Sequence, residues 1–108
     1  MPTKDEPSAA AGSAEISSDA DGIPIIKLVG EIDLSNVDAV RATIEPTVAS
    51  APERMVFDLS GLDFLDSSGI ALLLFAAANS SVQLRQPSDI VRRIIEVTGL
   101  ADVLHMDP

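Results

Sequence analysis

Three short runs of branched apolar residues, separated by stretches with helical spacing, constrain this chain more than any other feature. Residues 23–29 (IPIIKLV), 54–58 (RMVFD) and 82–86 (VQLRQ) read as strands, each bounded by Gly, Pro or polar breaks. Between the first two, Val37, Val40, Ile44 and Val48 recur at three- and four-residue intervals and line one helix face. Strands alternating with helices predict an α/β fold built on βαβ crossovers, with a parallel or mixed sheet. A chain of 108 residues is enough for one domain. Residues 1–13 read as a disordered tail of Pro, Ala, Ser and charge without periodicity, and residues 14–108 as the folded unit.

Residues 14–18 can add a short edge strand, with a turn over 19–22 leading into the next. Pro24 is tolerable only where its missing N–H is not needed, so that end is expected at an edge or bulge. Ser35 reads as the N-cap of the first helix, with Asp38 three residues on, and Pro46 should kink that helix or end it early. Residues 59–65 read as a loop holding Ser60 and Gly61; Asp66, Ser67, Ser68 and Gly69 then open a second helix running to about Ala78. That helix is apolar almost all round, so it is expected to be buried or covered. Pro87 and Ser88 break and cap a third helix over 89–97, with Ile90, Val91, Ile94 and Ile95 inward and Arg92, Arg93 and Glu96 outward. Gly99 sits where a left-handed C-cap belongs, and residues 103–106 can form a last strand.

Several functions are excluded early. Seventeen acids against seven bases give net −10, which opposes nucleic acid as the main partner and disfavours an anionic membrane surface. The chain has no cysteine, so disulfides, thiolate metal sites and a cysteine nucleophile are ruled out. Residues 1–30 lack the basic start and apolar stretch of a signal peptide. The longest apolar run, residues 70–78, falls far short of the ~20 residues that span a bilayer. A cytoplasmic protein with no membrane insertion is the expectation.

The densest polar chemistry lies in DLSGLDFLDSSG at 58–69. Ser67 and Ser68 stand at the amino end of a helix, where unpaired N–H groups and the dipole favour an anion such as a phosphoryl group. Asp58, Asp63 and Asp66 would make that phosphate part of a concentrated negative patch. The plainer alternative is that Ser67 or Ser68 is an N-cap and Asp66 a dipole partner. No phosphate-cradling glycine loop accompanies the carboxylates, so no metal site is expected. Hydrolytic catalysis fares no better, because the sole histidine, His105, lies near the end and DSSG is not a nucleophile elbow. Functional loops of such sheets follow the carboxyl ends of strands, which puts Asp33, Asp58, Asp66 and Ser67 on one rim.

Taken together, GEID at 30–33, VFDLS at 56–60, FLDSSGI at 64–70 and VTGL at 97–100 give a strong resemblance to the STAS domain of bacterial anti-sigma factor antagonists. The resemblance spans residues 23–104. It implies a single STAS-like domain with a four- to five-stranded mixed sheet and helices packed mainly on one face. It also implies a regulator of transcription and stress response without cofactor or enzymatic activity. Such a protein binds an anti-sigma factor that is also a serine kinase of the GHKL ATPase type, and so releases the sigma factor. By the same resemblance, the kinase phosphorylates Ser67 and ends binding, and a PP2C-type phosphatase restores it. Asp33, Asp58, Asp66, Ser68, Gly69 and Ile70 are then the expected partner-binding residues. Against the family pattern, the stretch from Gly69 to Pro87 is shortened, and Pro46 falls inside the first helix. The alternative is a STAS docking subunit of another assembly, such as the partner of a lipid-transport ABC ATPase or a stress-signalling scaffold.

Overall fold

The computed structural model describes residues 11–106. In chain order its elements are β1 (Ser13–Ser18), β2 (Pro24–Ile32), α1 (Val37–Ala49), β3 (Arg54–Leu65), α2 (Ser67–Ala77), β4 (Ser81–Arg85), α3 (Asp89–Val97) and β5 (His105–Met106). The five strands lie side by side in sequence order; β1 is antiparallel to β2, and β2 through β5 run parallel. Each parallel connection carries one helix and steps in the same direction. Right-handed crossovers therefore place α1, α2 and α3 on one face of the sheet.

Strand alternation supplies the floor of the core and helix periodicity its roof. Ile26, Leu28, Met55, Phe57, Val82 and Leu84 are buried at every second position of their strands, whereas Lys27, Asp58 and Arg85 occupy the intervening positions. Val40, Ile44 and Val48 recur every four residues on α1, and Val91 and Ile95 do so on α3. In α2, Gly69, Ile70, Leu72, Leu73 and Ala76 are buried, in keeping with its nearly uniform apolar character.

The largest departure from the sequence reading concerns β3. Its expected end at Asp58 is followed by seven more strand positions, so residues 59–65 form no loop. β2 likewise continues past Gly30, and the two extensions pair with each other up to Ile32 and Leu65. Two register shifts, between Lys27 and Val29 and between Gly30 and Glu31, break the period-two pattern there. One of them coincides with Gly30, whose φ of +85° glycine adopts without steric penalty.

Smaller corrections have local causes. Asn36, not Ser35, occupies the N-cap position of α1, because Ser35 is already held by the Asp33 carboxylate. Helix α1 runs through Pro46 to Ala49. The proline and Ala42, whose carbonyl loses its partner, both lie on the exposed flank, where water can take over. Pro24 is the first residue of β2, ahead of the first pairing with β3. Ile90 faces outward at 63% exposure, since the one-turn spacing of Val91 and Ile95 fixes the buried face of α3. Ser88 caps that helix with its hydroxyl accepting from the Val91 N–H, and Gly99 follows it with φ +76°. Of the expected tail, residues 1–10 lie outside the described residues; Ala11 bridges to Glu31 and Ser13 already begins β1. Among the described residues no helix is long and apolar enough to cross a membrane.

Candidate functional site

The parallel pairing of β2 and β3 ends at Ile32 and Leu65, and the chain leaves both strands at one point. The Asp66 N–H donates to the Ile32 carbonyl at 3.1 Å, which fastens the two exits together. Asp33 and Asp66 are therefore the first residues beyond neighbouring strand ends, at the carboxyl edge where α/β sheets place their sites.

The Asp33 exit is a tight turn. Its carboxylate accepts from the Ser35 N–H at 2.9 Å and the Ser35 hydroxyl at 2.5 Å. Asn36 accepts from the Asp33 N–H at 3.1 Å and donates its amide to the Glu31 carbonyl at 2.8 Å. These bonds hold the backbone of residues 33–36 just beyond the buried Ile32.

The Asp66 exit starts α2. Asp66 is the N-cap, and its carboxylate accepts from the Ser68 N–H at 2.8 Å, the Gly69 N–H at 3.4 Å and the Ser68 hydroxyl at 2.5 Å. The Ser68 hydroxyl is the main reason the Asp66 carboxyl titrates below its ordinary value; partial burial opposes it, and the Ser68, Gly69 and Leu34 N–H groups reinforce it. Ser68 is half-buried and committed to this bond, and Gly69 and Ile70 are buried. Ser67 is exposed, and its hydroxyl makes no hydrogen bond to any described residue. Gly69 is required by packing, because a Cβ there would lie 2.7 Å from the Leu65 Cβ.

Two sequence expectations change here. Neither serine is the N-cap, and Asp66 takes two of the amides that a phosphoryl group would otherwise use. Asp58 does not share the rim with Asp33, Asp66 and Ser67, because β3 runs on beyond it to Leu65. It stands between Lys27 of β2 and Arg85 of β4 on the sheet face away from the helices, and it accepts from the Ser60 N–H at 3.0 Å. Partial burial raises its pKa, but the Ser60 hydrogen bonds with Lys27 and Arg85 outweigh this and hold the carboxyl below its ordinary value.

The sequence reading passed over Leu34 and Phe64, large apolar residues exposed beside Asp33 and Asp66. The available signal was a leucine between polar turn residues and a phenylalanine out of step with Leu62 and Leu65. The remaining candidates lie elsewhere. Arg92 and Arg93 belong to α3, half-buried and exposed respectively. His105 borders a cleft of about 270 Å³ at the opposite end of the sheet, where β3 and β4 begin at Arg54 and Ser81. Among the described residues no group of three His, Asp or Glu side chains could hold a metal.

Known proteins resemble this arrangement in sequence and shape. The family model described as Mlab, STAS domain matches residues 16–105. The anti-sigma-F factor antagonist RsfA of Mycobacterium tuberculosis (strain ATCC 25618 / H37Rv) is 34% identical over 95 residues, covering 82% of this chain and 74% of its own. The crystal structure of an anti-sigma factor antagonist from Mycobacterium paratuberculosis superposes with a TM-score of 0.79 at 28% identity, covering 90% of this chain and 86% of that one. The anti-sigma factor antagonist SpoIIAA in its unphosphorylated form gives 0.68 at 26% identity, with 89% of each chain covered.

Proposed function

The chain belongs to the STAS domain family, and within it we propose that it acts as an anti-sigma factor antagonist. It binds an anti-sigma factor that is also a serine kinase and thereby releases the sigma factor. Phosphorylation of Ser67 ends the binding, and a PP2C-type phosphatase restores it. Both events belong to the cytoplasm, where sigma factors meet their polymerase. The chain itself has no catalytic role in this reading.

One observation carries the reading: Ser67 is an exposed hydroxyl, with no hydrogen bond to any described residue, at the first position of a helix whose cap is supplied by a different residue. A kinase can take up that hydroxyl without breaking any bond that holds the fold. The names of the relatives support it from a second direction, since RsfA and the two structures are all called antagonists of anti-sigma factors. His105, the only histidine, lies at the far end of the sheet from Ser67, so no imidazole stands beside the serine.

Phosphorylation adds ~1.5–2 negative charges at pH 7. At Ser67 these fall beside Asp33 and Asp66, in a chain already at net −10. Two of the amides at the helix start are taken by Asp66, so the phosphate is incompletely compensated and remains a hydrated, repelling group on the contact surface. Losing only ~3–4 kcal/mol of interface energy lowers affinity several hundredfold, which is enough to switch partners.

The test is sigma release. Added to a preformed complex of anti-sigma and sigma factors, the unphosphorylated chain should displace the sigma factor on a sizing column. The Ser67-phosphorylated chain should leave the complex intact. Equal displacement by both forms would contradict the switch. Stable binding to an ABC ATPase subunit, with no phosphorylation at any serine, would favour instead the docking-subunit reading. The Mlab description of the matching family model is what keeps that reading in view.

A further inference from the structure

Two large apolar side chains stand exposed beside the start of α2 on an otherwise acidic surface. Leu34, directly after Asp33, is 78% exposed, and Phe64, two residues before Asp66, is 40% exposed. Phe64 pairs with Glu31, one step before the Ile32 and Leu65 pair from which Asp33 and Asp66 depart. Leu34 belongs to the same junction, where its backbone N–H helps lower the pKa of the Asp66 carboxyl. The core could have hidden such groups, as it hides Leu62 and Leu65 on either side of Phe64 at 2% and 1% exposure.

A lone exposed apolar residue is ordinary. The setting distinguishes these two. Residues 31–36 and 62–70, which meet at the rim, contain no Lys or Arg, yet they supply Glu31, Asp33, Asp63 and Asp66. A surface of that kind is complementary to one occupant, a protein face with apolar hollows ringed by basic side chains.

Building on the antagonist reading above, we propose that Leu34 and Phe64 are the apolar anchors of the anti-sigma contact, seated in such hollows on either side of Ser67. Interface energy concentrates in a few side chains that become fully dry, with polar groups closing the edge. Here Asp33 and Asp63 form that edge, setting approach and orientation, while the two anchors set how long the complex lasts. A phosphoryl dianion on Ser67 must keep its water, so it wets the edge of the contact and prevents the anchors from drying. This part of the switch does not depend on charge repulsion and therefore survives screening by salt.

Kinetics of the full chain on immobilised anti-sigma kinases of the source genome, at low and high salt, provide the test. Leu34→Ser and Phe64→Ser should each raise the dissociation rate about tenfold or more and change association by no more than about twofold. Leu34→Met, which keeps the volume, should behave as the wild type. Ile90→Ser and Val97→Ser, at α3 positions exposed to 63% and 73%, should have no effect. Thermal melts guard against misfolding, and if Phe64→Ser melts early, the more exposed Leu34→Ser decides. Anchors whose loss leaves dissociation unchanged, or α3 variants that account for the loss, overturn the proposal. A wild-type chain that neither binds nor is phosphorylated by any of these kinases overturns the antagonist reading itself. That outcome differs visibly from tight binding with indifferent anchors.

Discussion

Ser68 donates its hydroxyl to the Asp66 carboxylate at 2.5 Å, and this bond makes two neighbouring serines chemically unequal. The same carboxylate accepts from the Ser68 and Gly69 amides, so Ser68 is part of the cap that starts α2. Ser67 takes no part in it. The helix start is thus held rigid by one serine while the other remains open to modification.

Removing the cap should cost stability. Asp66→Ala strips α2 of the acceptor for two amides and one hydroxyl, and losses of about 1 kcal/mol are usual for such caps. For a domain of this size that corresponds to a melting temperature lower by roughly 4–8 °C. A melt unchanged from wild type would show that α2 is held by packing alone.

Acid should weaken the fold through the same group. Asp66 and Asp58 both titrate below their ordinary value when folded. A lowered folded pKa contributes stability that is complete above the unfolded carboxylate range and is lost as pH falls through that range toward the folded value. Denaturant midpoints should therefore decline on acidification. The decline should be shallower in Asp66→Asn, and a slope equal to wild type would contradict the assignment.

Gly69 should not tolerate a methyl group. The Cβ of Gly69→Ala would meet the Leu65 Cβ at 2.7 Å, inside a packed junction of β3 and α2. Overpacking of this kind costs typically ~1–3 kcal/mol, outweighing the gain in helix propensity. Equilibrium unfolding checks this directly, and a stabilised variant would mean that Leu65 can move aside.

Asp33 and Asp58 should separate into two kinds of residue. Asp33→Asn keeps an acceptor for Ser35 but removes a rim charge, so it should slow association with the anti-sigma factor and flatten its salt dependence. Asp58→Ala removes the acceptor for the Ser60 N–H and the charge between Lys27 and Arg85, so it should lower stability by about 1 kcal/mol. Stopped-flow binding and thermal melts on both variants check this. A normal melt with slowed association in Asp58→Ala would return that residue to the recognition surface.

The sequence carried most of the architecture because the core was written in simple periods. Val40, Ile44 and Val48 on α1, the Ser88 cap of α3 and Gly99 behind it all stand where spacing alone put them. The far half of β3 did not read as strand. Ser60, Gly61 and Asp63 are turn formers by composition, and two register shifts against β2 erase the alternation of Leu59, Leu62 and Leu65. Tertiary pairing decided that segment, and with it the position of Asp58. The family resemblance singled out Ser67, but spacing alone did not separate it from Ser68, since that difference depends on where the Asp66 carboxylate points.

The central claim is tested most directly by incubating the chain with an anti-sigma kinase and ATP and mapping the product by mass spectrometry. The expected result is one phosphate, on Ser67, absent from Ser67→Ala, with the modified chain no longer retained by the kinase. Phosphate mapped to Ser68 alone, or a Ser67-phosphorylated chain that binds as tightly as before, would contradict it.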